Sequence, residues 1–346
     1  EPRSVNPMDG LLDPRIRDMG IGDASSIFMA SVEAAKLSPS VVSVSGIFSL
    51  IYEEVRIFSS KGIDVSERRT QFDVFLEVAA RDGDRRGSAF NFSDGRRIDI
   101  LDPEKFGREA GEIAIKSMDS TRVGVETLPV VFKPKALLEI IPFIVDDAAN
   151  AENIQYGRSF LTNKLSQQVA REEVSIIDDG RIPWLTGSSS FDDEGIPTGR
   201  TYVIERGVFR SPIHNWYTAK KEGGDSTGNA SRDYRRAPAI ACRNVRIEAP
   251  ALEMSEEEIL DVNRGILVLY TGDTPNLATG EFSGMAETAF LIERGEITRS
   301  LRQTGVAFTL EEDLLKGIEG IGRDVESVGS YNGGSVRLKA RVSGPG

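Results

Sequence analysis

The sequence predicts an α+β fold: an N-terminal unit of helices on an antiparallel sheet, then a larger, mostly β unit with packed helices. Three observations carry this. Phe72, Val74, Leu76 and Val78 alternate with Asp73, Glu77 and Ala79, the two-residue period of a half-buried strand. Two stretches, Ala24 to Lys36 and Phe106 to Ala114, instead space their apolar residues for one face of a helix. From Val174 onward the chain reads as short apolar runs broken by glycine turns. At 346 residues, 39% of them hydrophobic, it is long enough for about two domains, and residues 1–122 and 123–346 are the expected division.

In chain order, EPRSVNPMDG is a polar, proline-interrupted lead-in, and Glu1 in place of methionine suggests processing or a fragment. Asp23 is the expected cap of the first helix, with Ile27, Ala30, Ala34 and Leu37 inward and Pro39 as its stop. About four strands follow, divided by the turn signals Asp82-Gly83, Gly87 and Asp94-Gly95. Asp102-Pro103-Glu104 then supplies a cap and an N1 proline for a second helix. Leu128 to Phe132 is a strand-like run, and the helix-like segment after Pro134 carries Leu137, Leu138, Ile141, Ile144 and Val145 as its apolar stripe, interrupted by Pro142. VIERGVF at 203–209 and LIERGEI at 291–297 each spell a hairpin around Glu-Arg-Gly, either a duplicated element or a favoured turn. Ser255 with Glu258, and Thr309 with Glu312, have the spacing of capping boxes, and the tail ends on an alternating strand.

Composition removes several function classes. The formal net charge is −12, and the arginine pairs Arg68-Arg69, Arg85-Arg86, Arg96-Arg97 and Arg235-Arg236 stand among acidic residues, so direct nucleic-acid contact is not expected. No apolar run approaches the roughly 18 to 20 residues that span a bilayer, which predicts no membrane partner. A single cysteine, Cys242, fits a reducing cytoplasm. With one histidine, His214, the usual catalytic zinc set cannot be assembled. No phosphate-binding or dinucleotide glycine pattern is present.

The remaining chemistry is carboxylate. Asp192, Asp193 and Glu194 lie side by side in an expected exposed loop, Asp178-Asp179 at a strand end, and Asp146-Asp147 on the interrupted helix. Paired carboxylates can do acid and base work or hold a hard cation. In GGDSTGNASRDYR, Ser226, Thr227, Asn229 and Arg232 form a candidate peptide-binding set, because small residues let a backbone approach and a guanidinium takes a carboxylate by two bonds.

GRSFLTNKLSQQVA, VSIIDDG, GSSSFDDEGIPTGRTYVIERGVF, YTAKK with DSTGNASR, and GEFSGMAETAFLIERGEI, in that order, resemble the TldD/PmbA family, historically labelled modulator of DNA gyrase. The resemblance runs from about Ser40 to Gly344 and implies a zinc-peptidase scaffold in which a TldD-type catalytic subunit pairs with a TldE/PmbA-type subunit and processes unfolded peptides. Catalytic members carry H-E-x-x-x-H, and a gapless count back from Ser159 lays it on Pro142 to Asp147. Pro142 and Asp147 then replace the histidines and Phe143 the glutamate base, and GSYNGG lacks the cysteine of catalytic members. The opening residues match the join to the family's second segment, so the resemblance implies a fragment without the first.

The resemblance therefore implies a zinc-free, catalytically silent subunit with no catalytic residues or metal of its own, zinc belonging to the TldD-type partner. It leaves open a homodimer in isolation. Two rival expectations are a non-enzymatic modulator of DNA gyrase or another protein, and a hydrolase acting alone through Asp192, Asp193 and Glu194 or Asp146 and Asp147.

Overall fold

The computed structural model describes residues 4–233 and 235–344, so Glu1 lies outside the described residues. After a short helix α1 (Pro14–Asp18), the N-terminal unit has α2 (Ile21–Ala35) and α3 (Pro103–Lys116) against one face of three long antiparallel strands, β1 (Val41–Phe58), β2 (Asp64–Asp82) and β3 (Arg85–Gly95). The predicted alternation holds along β2, where Phe72, Val74, Leu76 and Val78 are buried. The strand count was expected to be about four; Gly87 lies within β3 instead of ending a strand, and Val55 to Ile57 simply extends β1.

The first helix departs from its expectation in two ways. It starts at Ile21 with Gly20 as cap, leaving Asp23 in the first turn, where its charge favours the helix dipole. Its buried face is Ser31, Val32 and Ala35 with Phe28, rotated from the expected Ile27, Ala30, Ala34 and Leu37. The cause is α3: a side chain on Gly107 would stand 1.9 Å from the Ser31 carbonyl, and one on Gly111 2.4 Å from that of Ala35. Two glycines let the backbones touch, and that contact decides which face of α2 turns inward. α3 itself follows its signals, with Asp102 accepting from Lys105 N at 3.0 Å and Phe106, Ala110 and Ala114 buried.

The larger unit is mixed β. Here β4 (Ser120–Thr121) and β5 (Glu126–Phe132) enter a ten-stranded, curled sheet that includes Arg264–Tyr270, Thr288–Glu293 and Val336–Ser343, and a six-stranded sheet contains Ser175–Asp179, Arg200–Glu205 and Val245–Glu248. Between the sheets lies the core, where Val130, Phe132, Ile266 and Leu338 from one meet Ile176, Val203 and Val245 from the other. The helix-like segment fills the space between them as Pro134–Leu137, Ile141–Phe143, a π turn at Ile144–Ala148, and Ala151–Gln155. Pro142 opens the second of these pieces within its first turn, where a missing N–H costs nothing.

Both Glu-Arg-Gly hairpins form, one in each sheet, with left-handed φ at Arg206 (47°) and Gly207 (77°) and at Arg294 (55°) and Gly295 (80°), the pairing a type I′ turn requires. The Ser255–Glu258 capping box is present. The Thr309 one is not: Thr309 donates its N–H and hydroxyl to Asp313, because Leu310–Leu315 winds as a π turn and shifts the facing carboxylate one residue on.

The units are clasped by Arg96, 3% exposed. Its guanidinium donates to the carbonyls of Leu185 (2.7 Å), Thr186 (2.6 Å) and Ser188 (2.8 Å) in the larger unit and of Thr70 (3.4 Å) in its own. Burial, with Arg69 nearby, pulls its pKa down to about 10, so it remains a cation at neutral pH. Replacing Arg96 by Met removes its donors from these carbonyls, and of the three in the larger unit only that of Leu185 keeps another, Ser188 N. The expected loss is about 3 kcal/mol or more, read as a lower urea midpoint; an unchanged midpoint means that the clasp contributes little.

Candidate functional site

The positions where the resemblance expects a zinc motif are packing positions. Pro142 and Phe143 are buried against the core, and Asp147 is half-buried on the π turn. Proline and phenylalanine bring no lone pair, so the donor set does not fit a catalytic zinc ion. Among the described residues no group of three or more His, Cys, Asp or Glu is arranged to hold a metal.

Asp146, beside Asp147, turns inward and accepts the Cys242 N–H at 2.6 Å. Desolvation raises its pKa, and desolvation with the charges of Asp146 and Glu139 raises that of Asp147 to about 6. The same enclosure, with Asp146 and Asp178 near, pushes the Cys242 thiol well up, away from thiolate chemistry.

The other carboxylates singled out from sequence are engaged with backbone. Asp178, 1% exposed, accepts from Arg243 N and Asn229 Nδ2, both at 2.6 Å. Asp179 accepts from Arg181 N (2.9 Å) and Arg200 Nε (2.7 Å). The Asp192 loop, expected to be exposed, is not: Asp192 is fully buried and caps Glu194 N, Ile196 N and Ala230 N at 3.0, 2.9 and 3.0 Å. Its neighbours continue the pattern, Asp193 accepting from Arg232 N (2.6 Å) and Glu194 from Trp216 N (2.7 Å). These bonds stitch 191–196 to 214–232, a long irregular stretch whose N–H groups have few strand partners.

Within that stretch the structure brings the candidate peptide-binding residues together but uses most of their polar groups. Ser226 Oγ donates to His214 O (3.1 Å), Thr227 Oγ1 to Asn229 Oδ1 (2.6 Å), and Asn229, 1% exposed, reaches Asp178 and Ala241 O. The Arg232 side chain is exposed, with the Glu194 charge near it and no side-chain hydrogen bond or ion pair among the described residues. His214 is buried with Nδ1 3.2 Å from Thr218 Oγ1, and desolvation lowers its pKa, so it is neutral at pH 7.

Sequence reasoning missed Asn244 and Arg243, which hold this region from beneath. Asn244 Nδ2 donates to Asp179 O (2.6 Å) and Ser188 Oγ (2.9 Å), and Arg243 Nη2 to Ala230 O (3.0 Å). No periodicity or motif marks them, since their role depends on which loops cross above Val245–Glu248.

Asp178 sets a pH dependence. Desolvation raises its pKa from 3.8 to about 6, so between these values the folded state binds more protons than the unfolded one. Its contribution is unfavourable to the charged form, and stability falls as pH rises through that window, by up to about 3 kcal/mol. Chemical denaturation from pH 4 to 6.5 is expected to show this slope, flattened in Asp178→Asn; an identical slope in the variant rejects the assignment.

The family models match here over most of the chain, the PmbA/TldA metallopeptidase central domain at residues 14–118 and the C-terminal domain at residues 125–344. A Methanothermobacter thermautotrophicus protein named metalloprotease is 29% identical over 274 residues, 77% of this chain and 59% of its own length. A Thermotoga maritima crystal structure described as a candidate modulator of a DNA gyrase is 28% identical with a TM-score of 0.88, covering 98% of this chain and 78% of that one. TldE from Thermococcus kodakarensis, at 24% identity, shares the fold with a TM-score of 0.88, covering 99% and 79%. The chain spans about three fifths of the length of the first curated relatives it matches. Carried by the two matched domains and the shared fold, the chain belongs to the PmbA/TldD metallopeptidase family.

Proposed function

We propose that this chain is a TldE/PmbA-type, zinc-free subunit that pairs with a TldD-type metalloprotease subunit and forms part of the chamber in which peptides are processed. The observation that carries the reading is Pro142 and Phe143. They occupy the expected ligand and base positions, have no lone pairs to offer, and are built into the core between two sheets. A zinc-bound water needs donors and a base within hydrogen-bond reach, and this helix supplies neither.

The buried carboxylates support silence as well. Asp178 and Asp192 are saturated by backbone and amide donors, which leaves them anchoring loops instead of meeting substrate. In this reading residues 1–122 and 123–346 are the two units. Ser226, Thr227 and Asn229 shape the 223–235 loop, and Arg232 offers its guanidinium to a peptide carboxylate. The single cysteine and the absence of a helix able to cross a membrane among the described residues agree with a cytoplasmic assembly.

Zinc content and peptide cleavage, measured on the purified chain alone and mixed with a TldD-type subunit, test this. Substoichiometric zinc, no cleavage alone, and a stable mixed complex that cleaves are expected. Stoichiometric zinc together with partner-free proteolysis would falsify the reading.

A further inference from the structure

We propose that a groove between the two units, walled by Arg86 and Arg302, binds a small, multiply charged oxyanion, a phosphate or a dicarboxylate. The groove is about 510 Å³, within the range of small-ligand sites, and lies where the β2–β3 hairpin and the end of α3 face the turn after Glu296–Leu301.

Among the described residues, the groove gathers two guanidiniums without an ion pair against one lining carboxylate, Glu287. In a chain of net charge −12, the neighbouring Arg85 is paired with Asp82 and Arg81 donates Nε to Gly83 O at 3.0 Å. Arg86 and Arg302 line the groove with no side-chain partner among the described residues. Two cations facing one cleft repel each other unless an anion lies between them.

Hydroxyls complete the wall. Ser300 is 7% exposed and lines the groove, yet its hydroxyl has no hydrogen-bond partner among the described residues. Its hydroxyl is therefore free to bond a group held in the groove. Ser88, Ser117 and Ser120 also present hydroxyls there without a side-chain hydrogen bond among the described residues, as does the amide of Gln303. The lining carboxylate, Glu287, stands beside the Tyr270 ring: its Oε1 and the Tyr270 hydroxyl flank Gly272, and burial with the Glu287 charge raises the Tyr270 pKa. Two guanidiniums with several hydroxyl donors are a receptor for an oxyanion with more than one charge, because each guanidinium can give two parallel N–H bonds.

The test is calorimetric titration of the intact chain with inorganic phosphate and, separately, with succinate, at matched ionic strength. Saturable one-site binding of either probe is expected, phosphate alone marking a phosphate ligand and succinate alone a dicarboxylate. Arg86→Gln and Arg302→Gln should each weaken it by about 10-fold or more. Ser300→Ala should weaken it in the same direction. Arg108→Gln removes an equal charge from the exposed side of α3 and should leave binding unchanged. Both groove arginines are exposed and unbonded, so their variants retain the fold, which melting curves verify. No saturable binding of either probe, wild-type affinity in both groove variants, or equal weakening by Arg108→Gln overturns the proposal.

Discussion

The structure depends on buried carboxylates that satisfy the backbone of long irregular segments. Between Gly180 and Asn244 the chain runs largely outside regular strands, and buried N–H groups there require acceptors. Asp146, Asp178 and Asp192 provide them, each reaching across to a segment distant in sequence: Cys242, Arg243 and Ala230. Burial raises all three pKa values, so part of each carboxylate's desolvation cost is met by these bonds. Residues that look like acid–base catalysts thus do the work that strand pairing does elsewhere.

Arg96 is the same solution with the sign reversed. Where the 185–188 segment turns back over the small sheet, its carbonyls lack strand partners, and a fork of guanidinium donors collects them. Glu67 meets the next segment by accepting from Ser190 N at 2.8 Å, so cation and anion clasp one loop from the same sheet. The two units are joined by these polar bonds to main chain and by apolar contacts, with Phe90 and Phe92 against Tyr270 and Ile113 packed on the clusters of both units.

The broken helix between the sheets is held in place by packing. Leu137, Ile140, Ile141, Ile144 and Val145 are fully buried, and removing any of them opens a cavity in the centre of the larger unit. Packing alone is reason enough for the segment to remain helical, and Pro142 and Phe143 fill volume within it. The π turn directs Asp146 into the interior and leaves Asp147 at its margin, so adjacent carboxylates have different surroundings and different pKa shifts.

Local patterns in the sequence determined the α+β class, the alternation of β2, the α3 cap at Asp102, both Glu-Arg-Gly hairpins and the Ser255 capping box, because each is decided by residues a few positions apart. The linked motifs also determined the family. Tertiary structure alone decided the face of α2, where Gly107 and Gly111 admit its backbone, and the start of a helical turn at Pro142. It alone decided that the Asp192 loop is buried, that Asn244 and Arg243 hold the segments beside it, and that Arg96 clasps the units. Those outcomes rest on partners mostly dozens of residues away, and hydrogen bonds and burial at that separation leave no period in the sequence from which they could be read.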